Sequence, residues 1–143
     1  MVQRALGIDL GERRIGVAVS DAEGQVATPV TVIERSGRSK RDHQMICELV
    51  ADYGVGVVVV GFPKSMDGSI GKAAQAVERE VGELSAVLAV PVLTHDERLT
   101  TVIAERSLAE AGLNAKARRQ RVDMVAATVI LQGWLDAVSQ SRQ

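Results

Sequence analysis

Apolar residues alternate with small or polar ones along residues 4–10. Leu6, Ile8 and Leu10 fall on one face; Ala5, Gly7 and Asp9 fall on the other. This period of two predicts a first strand with a carboxylate set inside an apolar run. Residues 14–20 repeat the pattern, with Ile15, Val17 and Val19 against Gly16, Ala18 and Ser20. Gly11-Glu12-Arg13-Arg14 between them reads as a hairpin turn. A second turn, Asp21 to Gly24, leads to a third strand from Gln25 to Ile33, which Pro29 places at a sheet edge or a bulge.

The period then changes. Ile46, Leu49, Val50 and Tyr53 recur at helical spacing and predict a helix over 40–53, closed by Gly54. Val57 to Val60 is apolar on both faces, as a central parallel strand is. A loop from Gly61 to Gly71 precedes a helix over 72–89, a strand from Val90 to Thr94, and a helix from Thr100 to Ala111 stopped by Gly112. A last helix, rich in Val, Ala, Ile and Leu, covers 117–138. Three hairpin-linked strands followed by two strands reached through helices form a mixed α/β sheet with helices on its faces, in one domain over 1–143.

Composition narrows the function classes. An apolar fraction of 46% and a charged fraction of 24% suit a globular protein with a real core. The formal net charge of −1 supplies no global positive field, so any nucleic-acid contact must come from local patches. The single cysteine, Cys47, excludes an intramolecular disulfide and a Cys/His zinc cluster. Three aromatic residues, Tyr53, Phe62 and Trp134, are too few for a base-stacking platform. No apolar run approaches 18 residues, and the expected location is the cytoplasm, with no membrane partner.

Three acidic positions interrupt or end apolar elements. Asp9 lies inside the first strand. Asp96-Glu97 follows the fifth, at the end where open α/β sheets place ligands. Asp123 shares a helix stripe with Ala126, Ala127 and Ile130, which faces the core. Each acid alone has an ordinary account: a turn cap for Asp9, a solvated side chain for Glu97, a first-turn helix acid for Asp123. Together they describe converging carboxylates. Such groups repel one another unless a cation intervenes, and all-oxygen ligands suit Mg²⁺ or Mn²⁺.

The same residues carry a resemblance. Gly7-Ile8-Asp9-Leu10-Gly11, Arg13-Arg14-Ile15-Gly16-Val17-Ala18 and Ser20-Asp21 resemble the opening of the YqgF family, described as pre-16S rRNA nucleases and Holliday junction resolvases. Gly61-Phe62-Pro63 with Asp67-Gly68-Ser69, then Asp96-Glu97-Arg98-Leu99-Thr100-Thr101, then Val122-Asp123 with Ala126-Ala127 and Ile130-Leu131-Gln132, follow in family order. The resemblance implies an RNase H-like fold: a five-stranded mixed sheet, order 3-2-1-4-5, with helices on both faces. It also implies that Asp9, Glu97 and Asp123 are the metal-binding, catalytic acids. Asp96 competes with Glu97 for that role, and because successive residues point apart Glu97 is favoured.

Basic residues flank these acids. Lys116, Arg118, Arg119 and Arg121 precede Asp123, and Arg35, Arg38, Lys40 and Arg41 form a second cluster. Both read as phosphate contacts or as solvated surface. Arg13, Arg14, Lys64 and Arg98 are further candidate contacts. Lys64 lies in a loop, 61–68, that reads either as substrate-facing or as a tight connection. His95 reads as a structural strand-end histidine, His43 as exposed, Cys47 as a buried inert thiol, and Trp134 as packing the last helix on the sheet.

The leading expectation is a metal-dependent endonuclease on structured nucleic acid. Its substrate is the 5′ end of precursor 16S rRNA, within ribosomal precursor particles, or a four-way DNA junction. Junction cutting requires a homodimer, whereas a monomer suits RNA processing. An ATP-binding module is a competing class, because Gly7-Ile8-Asp9-Leu10-Gly11 also resembles the first phosphate loop of the actin and Hsp70 group; a single domain lacks the second half such proteins need. A non-catalytic RNA-binding factor is the third.

Overall fold

The computed structural model describes residues 4–62, 71–96 and 115–141. In chain order these form β1 (Arg4–Leu10), β2 (Arg14–Ser20), β3 (Ala27–Glu34), α1 (Ser39–Tyr53), β4 (Val55–Phe62), α2 (Lys72–Val87), β5 (Val92–Asp96) and α3 (Ala115–Ser141). The sheet order is β3-β2-β1-β4-β5. β1 pairs antiparallel with β2, and β2 with β3; β4 runs parallel to β1, and β5 parallel to β4. The expected 3-2-1-4-5 mixed sheet is therefore the observed one. The helix expected over 100–111 lies outside the described residues.

The two faces of β1 follow its alternation. Leu6 and Ile8 join Ile15, Val17, Ile33, Val58 and Val60 in a core closed by Ile46 and Val50 of α1 and Val77 and Leu84 of α2. Each such side chain removed from water contributes about 1.5–3 kcal/mol. The opposite face is made of small residues: Ala5, Ala18 and Val59 meet Ala127, Ile130, Leu131 and Leu135 of α3, with Trp134 packed beside them. Gly7 is part of this face. A β-carbon there would lie 2.6 Å from Leu131 Cβ and 2.9 Å from the Ala127 carbonyl oxygen, so only glycine lets α3 come this close.

Local chemistry explains the boundaries. Gly54 ends α1 in the left-handed region at φ 62°, its N–H turned back to the Val50 and Ala51 carbonyls. β3 starts at Ala27 rather than at Gln25, because the Asp21 carboxylate takes the N–H groups of Gln25 and Val26 at 2.7 and 3.1 Å. Pro29 is both on the edge strand and at a bulge: Val17 pairs with Thr31 and Ala18 with Pro29, leaving Val30 as the extra residue. β5 runs two residues later than its apolar run suggests. Pro91 has no N–H to give, and its carbonyl instead accepts from Val58 at 3.0 Å just before the strand begins.

Two expectations are corrected. His43 is buried, 4% exposed, and bonded to Glu80 at 2.8 Å. Cys47 is only half-buried, its sulfur 3.9 Å from the Val87 carbonyl. In both cases α2 packing on α1 sets the exposure, which α1's own pattern does not encode. The stretch Val122–Ser139 of α3 is long and apolar enough to cross a membrane by length and composition alone. Its apolar residues Ala126, Ala127, Ile130, Leu131 and Leu135 are instead buried on the sheet.

Candidate active site

Asp9 pairs in register with Gly16 on β2. Directly opposed residues of an antiparallel pair project to the same face. A β-carbon on Gly16 would fall on the main chain of Asp123, so that face is the one α3 covers. Asp9 and Asp123 are thus brought to one face and one end of the sheet. Residues 9 and 16 come together through strand pairing, and residue 123 arrives because Gly16 leaves room for the helix. The Asp123 carboxylate itself lies beside the β1–β2 turn, its Oδ1 3.9 Å from the position a Gly11 β-carbon would take.

Asp123 accepts a bond from Arg14 Nε at 2.7 Å. The side chains are 17% and 21% exposed respectively. Even with this guanidinium in contact, burial holds the Asp123 carboxyl above the usual aspartate range. Arg14 opposes that rise and the Glu34 charge adds to it. Arg14, a candidate phosphate contact from the sequence, is engaged through Nε with Asp123. Arg13, next to it, is exposed.

The remaining candidates divide by position. Glu97, Arg98 and Lys64 lie outside the described residues. Lys116, Arg118, Arg119 and Arg121 fall in the first two turns of α3, where the backbone alone is described. Asp96 is exposed and ends β5 opposite Phe62. His95 pairs with Gly61, and its Nε2 lies 3.0 Å from the position of a Gly133 β-carbon, so the imidazole sits against α3. Of the second basic cluster, Arg35 is not a free cation. It grips both oxygens of Glu80 at 2.8 and 3.0 Å, and with His43 it holds the Glu80 carboxyl below its ordinary range although burial pushes the other way.

Among the described residues no group of three His, Cys, Asp or Glu side chains forms a metal cluster. Asp9 and Asp123 supply carboxylate oxygens only, and that donor chemistry fits a hard divalent cation. Two cavities are lined by described residues. One of 610 Å³ is between α1 and α2, away from these acids, and includes Cys47 and Val87; one of 450 Å³ adjoins the β1–β2 turn and includes Glu12, Arg13, Arg35 and Asp42. Sequence reasoning missed the parts played by Gly7 and Gly16. Their signal was visible as small residues at alternate positions facing the same way as Asp9.

A family model described as "RuvX: Holliday junction resolvase" matches residues 3–137. A protein of Moorella thermoacetica named "Putative pre-16S rRNA nuclease" is 47% identical over 138 residues, 96% of this chain and 98% of its own. One of the same name from Chloroflexus aggregans is 47% identical over 135 residues, 94% of each chain. Among solved structures, Thermus thermophilus RuvC is similar in fold, with a TM-score of 0.58 at 18% identity over 96% of both chains. The same protein in complex with a Holliday junction substrate gives 0.57 at 17%.

Proposed function

The chain belongs to the RuvX family and is a nuclease of RNase H-like fold; from that premise we propose that it processes the 5′ end of precursor 16S rRNA by divalent-metal-dependent hydrolysis of a phosphodiester. The reading is supported by one observation above the others. Asp9 and Asp123, far apart in the chain, emerge on one sheet face at the C-terminal end of β1. Glu97 completes the proposed set of acids. When bound, Mg²⁺ or Mn²⁺ ions supply activation of water and stabilisation of the leaving oxygen. The chain's own part is to hold the carboxylates: Asp9 on a central strand buried on both faces, Asp123 on a helix seated against two glycines. Arg14 pairs with the Asp123 carboxylate at 2.7 Å. Arg13, Arg98, Lys64 and the basic start of α3 are the proposed phosphate contacts. The proposed setting is the cytoplasm.

The family's description favours a second substrate, a four-way DNA junction cut by a dimer. The deciding experiment offers matched precursor rRNA and junction DNA to the protein with Mn²⁺, with Asp9→Asn as the blank. Cleavage of the RNA by a monomer supports the first reading. Symmetric cutting of the junction by a dimer supports the second. Equal rates with wild type and Asp9→Asn would refute both.

A further inference from the structure

Arg35 stands just past the end of β3, and all three of its guanidinium nitrogens donate hydrogen bonds. Nε donates to the Gly11 carbonyl at 2.7 Å, and the two terminal nitrogens donate to the two Glu80 oxygens at 3.0 and 2.8 Å. Its own backbone N–H donates to the Arg13 carbonyl at 3.0 Å. From α1, His43 Nε2 reaches the same Glu80 carboxylate at 2.8 Å. One residue therefore holds two carbonyls of the β1–β2 turn and ties them to α2, and α1 braces the tie. The side chains of Arg35, Glu80 and His43 are 20%, 15% and 6% exposed, so water competes little for these bonds.

That turn is where the candidate site is built. It carries Arg14, which bonds Asp123, and Gly11, which borders the Asp123 carboxylate. We propose that Arg35, braced by Glu80 and His43, is a positioning residue that fixes the Gly11–Arg14 turn and so sets the carboxylates of the metal site. The inference rests on the nuclease reading above. It replaces the simpler role for an arginine in a basic cluster, direct contact with phosphate. A planar fork already bidentate to a carboxylate, with Nε on a carbonyl, has no paired two-donor edge left for a phosphate.

The test uses the full chain as wild type, Arg35→Ala, Arg35→Lys and Glu80→Gln. Mn²⁺ binding is followed calorimetrically without substrate, and binding to four-way junction DNA is measured across a salt series in metal-free buffer. Arg35→Ala and Arg35→Lys are each expected to weaken Mn²⁺ binding about tenfold, as loss of an outer supporting contact does, with Glu80→Gln moving the same way. The slope of log affinity against log salt is expected to stay at its wild-type value. Unchanged Mn²⁺ affinity in folded Arg35→Ala, full recovery by Arg35→Lys, or a slope reduced by about one, as a lost phosphate contact gives, would overturn the proposal. If Arg35→Ala fails to fold, Glu80→Gln and Arg35→Lys decide by the same Mn²⁺ reading. A wild-type protein that neither binds Mn²⁺ nor cleaves would overturn the nuclease reading itself, so the two failures are distinct.

Discussion

Replacing Gly16 by alanine puts the seating of α3 to the test. The added β-carbon would clash with the Asp123 main chain, its carbonyl oxygen and carbon being nearest. Backbone cannot rotate aside as a side chain can, so the helix must move off the sheet by about 1 Å at this point. Overpacking of this kind costs about 1–3 kcal/mol. For a chain of this size that lowers the Tm by about 2–4 °C per kcal/mol. The helix carries Asp123 with it, and a displacement of about 1 Å at a reacting centre costs about 100-fold in rate. Gly7→Ala provides a graded comparison. Its nearest atoms are Leu131 Cβ at 2.6 Å and the Ala127 carbonyl oxygen at 2.9 Å, a smaller overlap further from Asp123 along the helix. Gly82→Ala is the control. Gly82 is exposed on α2 with nothing within 4 Å of the new carbon, and the change is expected to stabilise by about 0.5–1 kcal/mol. Urea denaturation and Mn²⁺-dependent cleavage read out the series. The expected order of damage is Gly16→Ala, then Gly7→Ala, with Gly82→Ala at or above wild type. A Gly16→Ala protein with wild-type midpoint and rate would refute the close-packing argument and the placement of Asp123 that depends on it.

Asp9→Asn is expected to abolish Mn²⁺-dependent cleavage while the metal-free protein melts no lower than wild type; a clear fall in that melting temperature would assign Asp9 a structural role. Asp123 has its carboxyl raised in the folded state by burial, so the folded chain binds protons more tightly than the unfolded one and stability falls as pH rises from about 4 through the folded value. Asp123→Asn should remove that fall, as seen in urea midpoints between pH 3 and 7. Glu80 carries the opposite sign: its carboxyl is lowered, so its contribution is fully present above the unfolded value near 4.5 and is lost as pH falls through the folded one. Glu80→Gln should cost about 1.5–3 kcal/mol at pH 7, the worth of hydrogen bonds to a charged group, and flatten the acid limb of the same midpoint series. Gly54→Ala places a side chain at φ 62° and should cost about 1–2 kcal/mol by urea denaturation, with no change in cleavage.

Much of the architecture was legible in the chain. A period of two gave β1 and β2 their faces, a period of 3.6 gave α1, and Gly54 its end, because those patterns record contacts within a single element. The resemblance supplied the strand order, which periodicity alone leaves open. Asp9 stood out because a carboxylate inside an apolar strand has a high cost unless something meets it.

What the chain alone did not yield was the partnership of its charges. Arg14 reads as a candidate phosphate contact, Arg35 as a phosphate contact or solvated surface, and His43 as exposed. The fold gives Arg14 to Asp123, 109 residues away, and Arg35 to Glu80, 45 residues away, with His43 buried against the same carboxylate. A helix or strand writes its period into neighbouring residues because the backbone repeats every few positions. An ion pair between separate elements has no such period. It exists only once the sheet and helices have packed, and the strength of each charge then depends on the burial that packing creates.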